Sequence, residues 1–255
     1  VRSDRAGARP SRAREGLASK PGALGELALT LPVFLTYQLG VVFLNVRNAS
    51  DVVTSRLLEL SHGDLWTYVG VTASMGVAII AVYAMLGRGQ AFRLSKVLQI
   101  AFEGAAYAVA MGMATSWMVG RIFARGSPRG ISGPYDGLIM ALGAGFYEEL
   151  AFRAVLFGLG AKLLVWLFAG QRIRLVGSGP APSIRAVSVM VLWAVACAAV
   201  FSGMHYVGSL GDAFDLRSFV ARALLGLALT LVYATRGFAA AVWTHALYDV
   251  WVLVL

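Results

Sequence analysis

Residues 137–169 read GLIMALGAGFYEELAFRAVLFGLGAKLLVWLFA, a run of 33 residues that is apolar almost throughout but carries Glu148, Glu149 and Arg153 near its middle. A helix needs only about 20 apolar residues to cross a bilayer. The stretch therefore predicts either a tilted span that projects beyond the membrane or a helix followed by a re-entrant piece. A break near Gly158 or Gly160 would add one more span. Each ionised side chain at bilayer depth costs about 2.5–3.5 kcal/mol unless it is paired or hydrated. Three such groups within two turns point to a site enclosed by helices.

Outward from this segment the pattern repeats. Apolar runs of spanning length fall at 27–46, 65–86, 97–123, 186–207, 217–235 and 238–255. With 137–169 they predict an all-α, polytopic transmembrane bundle of seven to eight spans. The chain is 58% hydrophobic and 14% charged over 255 residues, whereas soluble domains carry about a quarter charged residues. A soluble fold is excluded on that ground. Residues 1–26, rich in Arg, Ser, Gly, Ala and Pro, cannot bury apolar area and are expected to form a disordered basic tail. Residues 27–255 are expected to form a single membrane-embedded domain.

The net charge is +9. Its basic residues lie between apolar runs, where they set topology and meet anionic headgroups. No basic face with interleaved aromatics is present, so nucleic acid is not an expected partner; the lipid bilayer is. Thirteen Arg/Lys fall on the side of the tail against six on the other, which predicts a cytoplasmic N-terminus. Only three of the 22 basic residues are Lys. With the abundance of Arg, Ala and Gly this suggests a GC-rich genome; the expected location is a bacterial inner membrane.

Two further polar patterns lie in later spans: Phe201-x-x-x-His205 and His245-x-x-x-Asp249. Glu149 and Arg153 are spaced i,i+4 and share a helix face, which predicts a buried ion pair. Glu148 is turned about 100° away in an α-helix and is free of that pair. Side-by-side carboxylates in a low dielectric resist ionising together, which is one way to make a base that works near neutral pH. His245 and Asp249 are also i,i+4, so the carboxylate can accept from the imidazole and fix its tautomer. These residues fit two chemistries. In one, Glu148 and His205 activate a water while His245 stabilises an oxyanion. In the other, two His and a carboxylate hold zinc, the cofactor that would otherwise not be needed. Spacing does not separate them.

One feature conflicts with either chemistry. His205 falls about 19 residues into its span and His245 about 7, and the two spans run the same way. At about 1.5 Å per residue they would be offset by about 18 Å, so a boundary must move or the helices must be staggered.

Other polar positions invite plainer readings. Asn45 to Asp51 make a polar exit from the first span, expected to be a cap or turn. Glu103 is expected to snorkel or line the cavity, Arg222 to reach headgroups, and the lone Cys197 to pack as a small apolar residue.

The three patterns, EExxxR, FxxxH and HxxxD, resemble in order the motifs of the CPBP family, the CAAX proteases and bacteriocin-processing enzymes related to the type II CAAX prenyl endopeptidase. The resemblance covers roughly the last 120 residues. It implies a metal-independent, glutamic-type intramembrane endopeptidase. By that analogy Glu148 activates water with His205 assisting, His245 and Asp249 form the oxyanion side, and Glu149 and Arg153 brace the site. The prenyl protease carries Asn where Asp249 stands here, and Asp donates to an oxyanion only if protonated. The implied substrate is a membrane-associated protein or peptide. The alternative is a non-catalytic scaffold or a bacteriocin self-immunity protein of the same fold. A proton-coupled transporter would need inverted repeats, and the sequence has none.

Overall fold

The computed structural model describes residues 22–44, 48, 51, 54, 56–57, 59, 61–62, 64–86, 94–122, 133–174, 181–208 and 211–254. Among them there is no strand, and seven long helices carry the fold. These are α1 (Ala23–Leu44), α2 (Leu65–Leu86), α3 (Leu94–Ile122), α4 (Pro134–Ala169), α5 (Ile184–Met204), α6 (Leu216–Arg236) and α7 (Phe238–Leu253). Each coincides with one expected span. By length and apolarity five can cross a membrane: Leu24–Leu44, Leu94–Gly120, Pro134–Ala169, Ile184–Met204 and Leu216–Arg236. Residues 1–21 of the expected tail lie outside the described residues; its end is corrected, because Ala23 to Glu26 already belong to α1 and Glu26 is buried, where its carboxylate finds a partner in the bundle.

The distribution of side chains is that of a membrane protein. Phe102, Trp117, Leu192 and Leu231 are exposed on the outside, whereas Gln38, Glu149, Arg153 and Thr244 are sealed within. With no water in the hydrocarbon region, polar groups must find partners inside the bundle.

Two sequence expectations are settled by helix ends. The 36 residues of α4 form one continuous helix, so no eighth span arises at Gly158 or Gly160. Its middle section, Ala144–Leu159, opens from the α to the wider π hydrogen-bond pattern. Such widenings are rare and gather at functional sites. This one contains both glutamates and Arg153, and it reduces the rotation between Glu148 and Glu149 below the α-helical value.

At 16 residues, α7 is shorter than a spanning helix requires. It follows α6 after a single residue, Gly237, whose φ of +103° suits only glycine. A Cβ there would also lie 2.5 Å from the Glu26 carboxylate. Glu26 instead accepts the Ala239 N–H at 2.7 Å and so caps a helix that begins inside the bundle. Ala239, Ala240, Ala241 and Val242 have no exposed surface. Their small side chains let α1, α3, α4 and α6 all pack against α7.

Candidate active site

The site is built where α4 meets α7. Gly145 of α4 faces Ala246 of α7 so closely that an added Cβ would lie 2.6 Å from the Ala246 Cβ. That approach brings the first and third motifs together. Glu149 Oε1 is 2.9 Å from Arg153 Nη1 and 2.7 Å from His245 Nδ1. One carboxylate oxygen thus serves both the guanidinium and the imidazole. All three residues are buried. The guanidinium also stacks over the Phe201 ring at 4.2 Å and donates to the Gly226 carbonyl at 3.4 Å. Glu149 and Arg153 therefore tie α4 to α5, α6 and α7, as the i,i+4 spacing predicted for the pair itself.

The orienting partner of His245 differs from the expected one. Glu149, from another helix, takes Nδ1. Asp249, one turn along α7, faces Nε2 at 3.5 Å, an ionic contact longer than a hydrogen bond. The i,i+4 spacing placed Asp249 on the correct face, but the closer partner comes from tertiary packing.

Phe201 joins the second motif to the others. Its ring centroid lies 5.2 Å from that of His205 and 6.0 Å from that of His245. The two histidines therefore share one locality despite the offset expected along the axis. The stagger is real, because α7 starts deep while α5 ends at Met204 with His205 as its C-cap. His205 Nδ1 lies 2.9 Å from the Phe201 carbonyl. A proton on Nδ1 donated to that carbonyl leaves Nε2 as the basic nitrogen. The Asp212 N–H donates to the His205 carbonyl at 2.8 Å, holding the following loop against the helix end.

Glu148 stands apart from the Glu149 pair, as the spacing predicted. It is 8% exposed, and its carboxylate accepts from Asn48 Nδ2 at 3.3 Å. Sequence reading missed Asn48 as a site residue and explained the polar exit from α1 as a cap or turn. A turn is indeed present, since Asp51 Oδ1 accepts the Thr54 N–H at 2.8 Å. The available signal was the coincidence of Gln38 inside a span with a polar run just after it.

Other ion pairs among the described residues lie away from this cluster. Glu103 binds Arg236 and accepts from the Tyr107 hydroxyl. Arg222 pairs with Asp212 at 2.6 Å and lies over the Tyr206 ring, so its partner is a loop carboxylate of the same chain. Cys197 packs with Phe157 and Ala161. Among the described residues no three His, Cys, Asp or Glu side chains converge as metal ligands; both nitrogens of His245 face carboxylates.

A polytopic helical membrane protein with an enclosed carboxylate–imidazole–guanidinium cluster is the class that fold and site define. Residues 131–251 match the family described as type II CAAX prenyl endopeptidase Rce1-like. The match covers a little under half of the chain and includes all three polar patterns; residues 1–130 lie outside it. No curated protein and no solved structure matches the chain.

Proposed function

We propose that this protein is an intramembrane endopeptidase that hydrolyses a peptide bond in a membrane-associated protein or peptide, with water activated by Glu148 and His205. The observation that carries the reading is the division of labour between adjacent glutamates. Glu149 is consumed by Arg153 and His245, while Glu148 is left outside that pair on the next position of the same helix. Packing alone would need only the first of them.

In this scheme a water proton passes to the Glu148 carboxylate as the water oxygen attacks the scissile carbonyl. His205, anchored through Nδ1, assists through Nε2. The carbonyl oxygen gains charge and accepts from His245 Nε2–H, which makes only the longer 3.5 Å contact to Asp249, while Glu149 holds Nδ1–H. Collapse of the tetrahedral intermediate breaks the C–N bond, and Glu148 returns its proton to the leaving amine. Asp249 acts here through His245, and Glu149 with Arg153 fixes the imidazole. The scheme needs no metal. The excess of positive charge on the tail side supports a cytoplasmic N-terminus.

The test compares wild type with Glu148→Ala and His205→Ala in host cells by profiling membrane-protein termini, followed by assay of purified enzyme with and without a zinc chelator. The expected result is a terminus lost in both variants and cleavage that survives chelation. Loss on chelation would establish a metalloprotease instead. Unchanged termini with folded variants would favour a scaffold or immunity protein, for which the Glu149 cluster serves packing alone.

A further inference from the structure

The family match begins at residue 131, yet the Glu148 side chain is held by a residue from well outside it. Asn48 follows α1, is 8% exposed, and donates from Nδ2 to Glu148 Oε1. Asn48 is itself held in place. Its backbone N–H donates to the Tyr37 hydroxyl at 3.1 Å. That hydroxyl donates to Asp51 Oδ2 at 2.7 Å, and the Asp51 N–H returns to the Asn48 carbonyl at 3.1 Å.

A second arm reaches the residue before Glu148. Gln38 donates from Nε2 to the Tyr147 hydroxyl, while its Oε1 accepts from Thr54 at 3.1 Å and from Tyr68 at 2.6 Å. Tyr37 also lies edge-on to Tyr147, with centroids 5.6 Å apart. It fits only because Gly143 has no side chain, since a Cβ there would come within 2.3 Å of the Tyr37 ring. An apolar residue would fill the place of Asn48 without a polar group to satisfy inside the bundle, so space filling alone does not call for this amide.

We propose that Asn48 is a positioning residue for the hydrolysis. Its amide holds the Glu148 carboxylate in the orientation from which it takes a proton from water, and Tyr37 and Asp51 set the amide. The inference rests on Glu148 being the base.

The experiment uses the purified full-length chain in lipid nanodiscs, with folding verified by thermal scans. Asn48→Leu keeps the size and removes the donor; Asn48→Gln keeps the donor. The first readout is independent of substrate. It is the rate at which dicyclohexylcarbodiimide labels Glu148, read by peptide mass spectrometry with Glu103 as internal reference. An oxygen released by its amide donor is freer to attack the reagent. Labelling is expected to rise several-fold in Asn48→Leu, to stay nearer wild type in Asn48→Gln, and not to change at Glu103.

The second readout is turnover of the substrate found by terminus profiling. Asn48→Leu is expected to lower kcat roughly tenfold to a hundredfold with KM unchanged, the penalty of a displaced reacting group. Wild-type labelling and kcat in a folded Asn48→Leu protein would overturn the proposal while leaving the base assignment intact. Full cleavage by Glu148→Gln would overturn the base assignment itself, and the labelling rate would still report whether Asn48 holds the carboxylate.

Discussion

Glu148 and Glu149 are chemically identical neighbours with different surroundings, and substitution should separate them. Glu149 is fully buried and compensates both Arg153 and His245. Removing one member of a buried ion pair strands its partner, at a cost of about 3–5 kcal/mol. Glu149→Gln is therefore expected to lower the thermal midpoint of the detergent-solubilised protein markedly. Glu148→Gln keeps the size of the side chain and leaves no cation stranded. Its thermal midpoint should stay close to wild type while cleavage is abolished. A stable Glu149→Gln beside an unfolded Glu148→Gln would reverse the assignment of brace and base. The spacing of the EExxxR pattern was enough to pair Glu149 with Arg153 and to leave Glu148 out of that pair, because i,i+4 neighbours share a helix face. It was not enough to find the partner of His245, which comes from a different helix.

At the level of the helix, the site depends on how closely α4 and α7 approach. Gly145 is the contact point, and an added Cβ would meet both the Ala246 side chain and, at 2.8 Å, its backbone nitrogen. Backbone cannot rotate aside as a long side chain can. Gly145→Val is expected to cost about 1–3 kcal/mol through overpacking and to lower cleavage by drawing Glu149 away from His245. Thermal scans and turnover measured on the same preparation check both. Wild-type stability and activity in Gly145→Val would show that the helices do not rely on this contact. The existence of each helix was legible from its apolar run. The π section of α4 was not, because it changes hydrogen-bond spacing without any change in hydrophobic pattern. The starting depth of α7 was also hidden, since an apolar run does not reveal whether its end meets water or a capping carboxylate such as Glu26.

Across the whole molecule, the family-matched segment leans on helices outside it. Glu26 of α1 caps α7, and Trp243 of α7 donates to the Leu29 carbonyl at 2.9 Å. Gly104 of α3 lies against the Trp243–Thr244 backbone, and Glu103 of α3 neutralises Arg236. Residues 131–255 expressed alone would expose these capping and pairing groups to lipid. They are expected to aggregate or to melt without a sharp transition, and to recover when residues 1–130 are co-expressed. Size-exclusion profiles and thermal scans of the two preparations decide it; a monodisperse, cooperatively melting fragment would show that the first three helices are dispensable.

Hydrophobic run lengths fixed this chain as a bundle of membrane helices, because lipid permits few alternatives for a satisfied backbone. The cost of burying charge pointed to the residues of the candidate site, and local spacing paired Glu149 with Arg153. What the sequence could not supply was the relative depth of helices far apart in the chain. The convergence of His205 and His245 on Phe201, the contact of Glu149 with His245 and the reach of Asn48 to Glu148 all depend on where α7 begins and how closely α1 and α7 approach α4. Those distances are set by glycine contacts and by Glu26 capping α7, interactions between residues as many as 213 positions apart, and only the packed structure decides them.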